Sequence, residues 1–386
     1  MTGRRAAGCL RAGGAVLATI LAGAVCAACG GGAPVSVTTT TSLPPLPPEV
    51  VAYVTRIGSG PTLGSGDTVL PVDVTAGSGV GPSAPIRVGA FPDAIAVAPG
   101  GKVAYVTSYT EGTVTPIDLA TGRALAPIHV GRGPAGIAIT PDGRRAYVTE
   151  AGSSPIGHTV TPVDLATGRA LAPIAVGPGP EGIAITPDGA TAYVADAGAI
   201  VSGQVGGVGD TVTPIDLATG RALAPIPVGN APVAVAVSPD GSAVYVANAS
   251  SGSVSPVPVG SGAAAPPIAV AGSPQALAFA GGDSATLYVA VGSSGVARGG
   301  TLVPISTATG RAGRPTPVCA EPAGVADEPR TAPVKRITSA RIVPVDLPSG
   351  TAGSPVAVGS GPYAIALATR PQGPASARAA RKARTR

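Results

Sequence analysis

The sequence predicts an all-β fold, and three observations predict it. Gly (57) and Pro (43) together exceed a quarter of the 386 residues and recur at fixed offsets, so they punctuate short strands rather than mark disorder. A unit beginning Pro-[Ile/Val]-Asp-Leu-Ala-Thr-Gly stands complete at 116–122, 162–168 and 214–220, with drifted copies from Pro71, Pro256, Pro304 and Pro344. Each unit, 40–52 residues long, holds four short apolar stretches divided by turn signals, which is the period of a propeller blade. The expected architecture is a seven-bladed β-propeller of four-stranded antiparallel blades. Pairing of the N-terminal strand (51–55) with the C-terminal strand (363–368) is expected to close the ring.

One unit justifies the elements in order. Gly136-Ile137-Ala138-Ile139 is the first strand, and Pro141-Asp142-Gly143 turns the chain. Ala146-Tyr147-Val148-Thr149 is the second strand, repeated around Tyr53, Tyr105, Tyr193, Tyr245 and Tyr288. After a loop, residues 159–165 make the third strand, residues 166–168 turn, and residues 171–176 make the fourth. Helices fail as a reading because Gly or Pro interrupts every window longer than about eight residues. Two irregularities are expected. Pro116, Pro162 and Pro214 each remove a ladder donor from a third strand, predicting a bulge or an early end there. No Tyr-Val stands between Pro322 and Pro344, predicting an irregular segment or insertion over 325–341.

These motifs resemble the YVTN family of β-propeller repeat proteins. The resemblance rests on Tyr105-Val106-Thr107, Tyr147-Val148-Thr149, the Asp-Leu-Ala-Thr-Gly turns and the Thr-Pro-Asp-Gly turns. It covers roughly residues 50–370 and is most specific in the second to fourth units.

The N-terminus reads as a secretory signal. Arg4, Arg5 and Arg11 precede an apolar run from Ala15 to Ala28, short of the ~20 residues that span a bilayer as a helix. The run ends Val25-Cys26-Ala27-Ala28-Cys29-Gly30, which resembles a bacterial lipobox. That resemblance implies lipidation at Cys29, with Cys26 as the alternative, and a mature chain held at the outer face of a bacterial membrane. The domain plan is therefore a signal at 1–29, a Thr/Pro-rich linker at 30–48, a propeller at 49–370 and a basic tail at 371–386. Cys319 then has no partner for a disulfide and reads as a buried structural thiol. Without the basic residues of leader and tail, 17 basic face 20 acidic residues, which argues against a nucleic-acid-binding face.

Catalytic patterns are missing from the sequence. His129 and His158 occupy different repeat positions and make neither a triad nor a metal site. His129 reads as a plain strand residue, and His158 lies in a loop where it can face a ligand. Asp142, Asp188 and Asp240 recur in one turn, and Asp73, Asp118, Asp164, Asp216 and Asp346 in another, so both sets are structural. Non-repetition is the better guide to function. The loop joining strands two and three is long at 56–67, 151–158, 196–210 and 291–300, so one propeller face is elaborated. Just inside that face, the residue after each crossover proline is Asp93, Ala135, Glu181, Val233, Gln275, Ala323 and Tyr363. Asp93, Glu181, Gln275 and Tyr363 are the expected ligand-facing residues of the channel mouth.

The reading is a monomeric, non-enzymatic binding or scaffold module of the cell envelope, with no cofactor and a protein or cell-wall ligand. A propeller enzyme of lactonase or quinoprotein type, with a metal or cofactor at the channel mouth, is the alternative. Nucleic-acid binding is a second alternative.

Overall fold

The computed structural model describes residues 49–57, 66–73, 84–152, 156–201, 204–279, 283–292, 300–318, 322–325, 331–336, 341–346, 351–352, 355–358 and 362–370. Cys26, Cys29 and Cys319, the leader, the linker and the basic tail lie outside them. The expectations made for those segments are therefore not addressed by the described structure.

The described residues form a β-propeller of four-stranded antiparallel blades. One blade runs outward from Pro134–Ile139 through Arg145–Glu150 and Thr159–Asp164 to an outer strand in two pieces, Arg169–Ala170 and Ile174–Ala175. Sister sheets start from the inner strands Pro92–Val97, Pro180–Ile185, Pro232–Val237, Ser273–Phe279 and Pro322–Val325. A further sheet is composite: Ile86–Arg87, Thr68–Asp73 and Glu49–Arg56 are completed by the C-terminal strand Pro362–Arg370. Its joining register pairs Val51 with Ala368, Tyr53 with Ala366 and Val54 with Ile365. The strand Pro362–Arg370 also packs beside Pro92–Val97 on one side and Pro322–Val325 on the other.

Second strands form the core because each is covered on both faces by neighbouring blades. Tyr53, Val54, Tyr147, Val148 and Val246 are at most 1% exposed. Burying each such side chain contributes roughly 1.5–3 kcal/mol. The inner strands Pro92–Val97 and Pro232–Val237 are half-buried along most of their length, because one edge faces the channel rather than a further strand.

Three expectations need correction. The proline in the third strand causes neither a bulge nor an early end. Arg145–Glu150 pairs with Thr159–Asp164 without a register shift, Tyr147 opposite Pro162. In an antiparallel ladder a residue's N–H and C=O point to the same neighbour. The Pro162 carbonyl faces outward, accepting the Leu171 N–H at 2.7 Å. Its missing N–H therefore falls at the gap between the two pieces of the outer strand, where no ladder bond is lost. Register shifts lie instead in inner pairings, between Val148 and Glu150 and between Pro180 and Ile183, and, away from the proline, between Asp196 and Ile200 where Thr191–Val201 pairs with Gln204–Asp216.

Residues 331–336 are a regular second strand, not an irregular insertion. Pro333 stands opposite Pro344, as Tyr147 stands opposite Pro162. Val334 holds the valine register, so the tyrosine is dispensable for the strand itself. Finally, residues 196–210 are not a plain loop: strands Thr191–Val201 and Gln204–Asp216 extend together beyond the blade, with Gly198 opposite Val208 and Ile200 opposite Val205.

Candidate functional site at the channel mouth

The site residues are positioned by the second strands. The Thr107 hydroxyl accepts the Ala94 N–H at 2.8 Å and donates to the Ala135 carbonyl of the next blade at 2.8 Å. Thr149 repeats this, accepting from Gly136 N–H and donating to the Glu181 carbonyl, both at 2.7 Å. Thr55 accepts the Ala364 N–H at 2.7 Å, beside Tyr363. The same position is Ala195, Ala247 and Ala290 in later units. The threonine of Tyr-Val-Thr is thus a staple at the inner-strand bulge, and it fixes the backbone on which Tyr363, Asp93 and Glu181 sit.

Those three side chains act on one another. The Tyr363 phenol donates to the Asp93 carboxylate. Its pKa is raised well above that of an ordinary tyrosine by the Asp93 charge first, then by burial and the Glu181 charge. Burial, then the Asp93 charge, pushes the Glu181 carboxyl up to about 8. Asp93 is 9% exposed, whereas Glu181 keeps a half-buried outer surface. The intervening inner strand carries Ala135 at this position.

Aromatic rings complete the mouth. Phe91 lies 5.5 Å from Tyr109 and 5.8 Å from Tyr363 between ring centroids. Its backbone is left-handed (φ 54°), where sister units use Gly133 and Gly179. A bulky side chain is an outlier in that region. On the same loop face a cavity of about 510 Å³ is lined by Tyr109, Glu111, His129 and Arg132, so Tyr109 joins it to the acidic mouth.

Of the sequence-predicted residues, Asp93, Glu181 and Tyr363 come together. Gln275 holds the same strand position, but its side-chain amide donates to Ser273 Oγ at 2.8 Å. His158 is exposed and its loop belongs to the elaborated face, apart from the three-residue cluster. Among the described residues no group of three or more His, Cys, Asp and Glu could hold a metal ion. Phe91 and Tyr109 were missed by sequence reasoning. A signal was present, since both are aromatics outside the Tyr-Val repeat.

A second polar set was also missed. The residue after Tyr-Val-x is Ser108, Glu150, Asp196 and Asn248 in four of the second strands, all at most 7% exposed. Glu150 accepts Gly131 N–H at 2.7 Å and the hydroxyls of Thr159 (2.7 Å) and Thr161. Asp196 accepts from Thr211 at 2.9 Å and Thr213 at 2.6 Å, and burial nevertheless raises its pKa. Glu150 thus ties crossover to blade, Asn248 donates to Ser253 at 3.2 Å and Ser255 at 2.9 Å in the third strand, and the buried Ser108 hydroxyl makes no hydrogen bond among the described residues.

No protein-family model matches this chain, and no curated protein sequence does. Solved structures are similar in fold. A functionally unknown protein from Desulfotomaculum acetoxidans DSM 771 superposes with a TM-score of 0.65 at 16% identity, covering 83% of this chain and 99% of its own. Pseudomonas aeruginosa periplasmic gluconolactonase gives 0.64 at 20% identity, over 83% and 99% of the two chains. Kuenenia stuttgartiensis hydrazine synthase gives 0.62 at 22% identity, over 72% and 89%. At these identities the likeness is one of fold, and propellers host many functions.

Proposed function

We propose that this chain is a YVTN-type, lipid-anchored binding module of the cell envelope whose ligand sits at the channel mouth. The observation that carries the reading is the convergence of Asp93, Glu181 and Tyr363. They are unlike residues at one repeat position of three inner strands, and the Asp93 charge acts on the ionisation of both Glu181 and Tyr363. The ring we propose has seven blades, supported by the seven sequence units and by the hydrogen-bonded pairing of Glu49–Arg56 with Pro362–Arg370. The anchor we propose is Cys29, or else Cys26, with residues 30–48 as a stalk reaching up to about 55 Å at ~3 Å per residue. The partner class is a protein or cell-wall ligand met by a monomer, and nucleic acid is not proposed.

The test is a thermal-shift screen of amino acids, polyamines, sugars, aldonolactones and cell-wall fragments. It is run on the wild type and on Asp93→Asn/Glu181→Gln. At least one compound should raise the wild-type Tm and leave the variant unmoved. Hits that shift both proteins equally would place the binding site elsewhere.

One observation favours a second reading, as an enzyme. A carboxyl held protonated to about pH 8 beside another acid is poised for acid–base catalysis. One protein of similar fold is named a gluconolactonase. Hydrolysis of D-glucono-1,5-lactone by the wild type, abolished in Glu181→Gln, would replace the binding reading with this one.

A further inference from the structure

Outside the Tyr-Val repeats the chain uses aromatic residues very sparingly. There are eight Tyr, two Phe and no Trp, and six of the Tyr belong to the repeat. Of the remaining four, Phe91, Tyr109 and Tyr363 meet at the mouth of the channel. Phe91 holds its ring there from a backbone conformation that Gly occupies at Gly133 and Gly179. Beside these rings stand two acids from different blades. The influences on Glu181 are burial and the Asp93 charge, with no lysine or arginine to offset them. Among the described residues the Glu181 carboxyl has no hydrogen-bond donor, although its backbone carbonyl is taken by Thr149.

Rings beside carboxylates are complementary to one kind of ligand group. The faces of Tyr and Phe attract a cation through their quadrupoles, and carboxylates attract it by charge. We propose that the channel mouth takes an organic cation, a primary or quaternary ammonium group held between Asp93 and Glu181 and against Phe91, Tyr109 and Tyr363. The assignment rests on the reading above that the ligand lies at this mouth. It also accounts for two acids placed beside each other, because a bound ammonium offsets their charge and lets both carboxyls ionise. A hard metal ion fits less well: Ca²⁺ asks for six to eight oxygens, and among the described residues no group of three or more His, Cys, Asp and Glu could hold a metal ion.

The experiment is calorimetric titration of the purified full chain with choline and with 1,5-diaminopentane. The neutral isostere 3,3-dimethylbutan-1-ol and CaCl₂ serve as controls. At least one of the two ammonium probes should bind saturably. Its affinity should fall about tenfold or more, roughly a 1.4 kcal/mol loss, in Asp93→Asn/Glu181→Gln and in Phe91→Gly. Phe91→Gly copies the residue of sister units and should melt no lower than the wild type, so lost binding there is not lost folding. Dimethylbutanol should not bind. Equal binding of the neutral isostere, unchanged affinity in both variants, binding of Ca²⁺ alone, or no binding of either amine each overturns the assignment. If the amines fail while a neutral compound from the screen still depends on Asp93 and Glu181, the ammonium falls and the channel-mouth site stands.

Discussion

Asp240 and Glu181 are both acids near strand ends, and their surroundings drive them in opposite directions. Asp240 lies in a Pro-Asp-Gly turn, where the hydroxyl of Ser238 first, then the Ser242 amide and hydroxyl, lower its pKa to about 2. Its counterparts Asp142 and Asp188 are lowered in the same way by Thr140 and Thr186. Repetition in the sequence identified these turns as structural, because an acid that recurs at one turn position of three units serves the unit. Glu181 occurs in one unit only, and that singularity marked it together with Asp93 and Tyr363. The same logic selected Gln275, which turns to Ser273, and His158, which is exposed, because non-repetition does not reveal where a side chain points. The elevated Glu181 carboxyl has a consequence for stability. Its folded pKa, about 8, exceeds the ordinary carboxyl value of 4.5, so the folded state holds the proton more tightly. The stabilisation is complete below about pH 4.5 and is lost as pH rises through about 8. Glu181→Gln removes this dependence. Thermal melts from pH 5 to 8.5 should show the variant gaining on the wild type by at least about 1 kcal/mol, one pKa unit being worth about 1.4. Parallel pH curves for the two proteins would show that Glu181 ionises normally.

At the scale of the element, the Val-Gly before an inner strand and the polar residue ending the second strand of the same blade are one device in three of the units. A Cβ at Gly131 would lie 1.9 Å from Glu150 Oε2, at Gly177 2.3 Å from Asp196 Cγ, and at Gly229 2.8 Å from Asn248 Cγ. The crossover glycine is there to admit the polar side chain, which in all three units also bonds the third strand. One unit departs at both positions together: Ala271 replaces the glycine and Val291 the polar residue. Gly131→Ala should therefore cost about 2 kcal/mol or more through steric conflict and a displaced Glu150. The double variant Gly131→Ala/Glu150→Val should be more stable than Gly131→Ala alone, with a coupling of at least about 1 kcal/mol in urea unfolding. Simple additivity of the two changes would dissolve the pairing. The elements themselves were largely readable, since turn signals and apolar stretches gave strand order and length. The outer strand reads as one stretch because its break depends on the partner proline, which sequence order does not place opposite it. The hairpin over Thr191–Asp216 was hidden because its glycines imitate a loop, while Val205 and Val208 pair across it with Ile200 and Gly198.

For the molecule as a whole, the joining of Glu49–Arg56 to Pro362–Arg370 was legible by elimination. The first Tyr-Val strand lacks an inner partner in its own unit, and the last inner strand lacks a second. The observed register agrees with that expectation, pairing Tyr53 with Ala366, and Thr55 adds its hydroxyl to the Ala364 amide. The seam joins residues more than 300 positions apart in the chain, so its loss exposes two sheet edges and separates Tyr363 from Asp93. Unpaired edges are templates for intermolecular pairing. Two truncations separate the seam from the tail. Removing 371–386 should leave the melting transition within about 2 °C of the full chain, since it spares every described strand, and a 1 kcal/mol change shifts Tm by only a few degrees in a domain of this size. Removing 362–386 should broaden and lower the transition by about 10 °C or more and give concentration-dependent aggregates in light scattering. A peptide covering 362–370, added in excess, should restore part of the loss by occupying the vacated edge. If the longer truncation melts like the shorter one, the terminal seam contributes nothing to the fold. The composite sheet would then be an ornament on blades that stand without it.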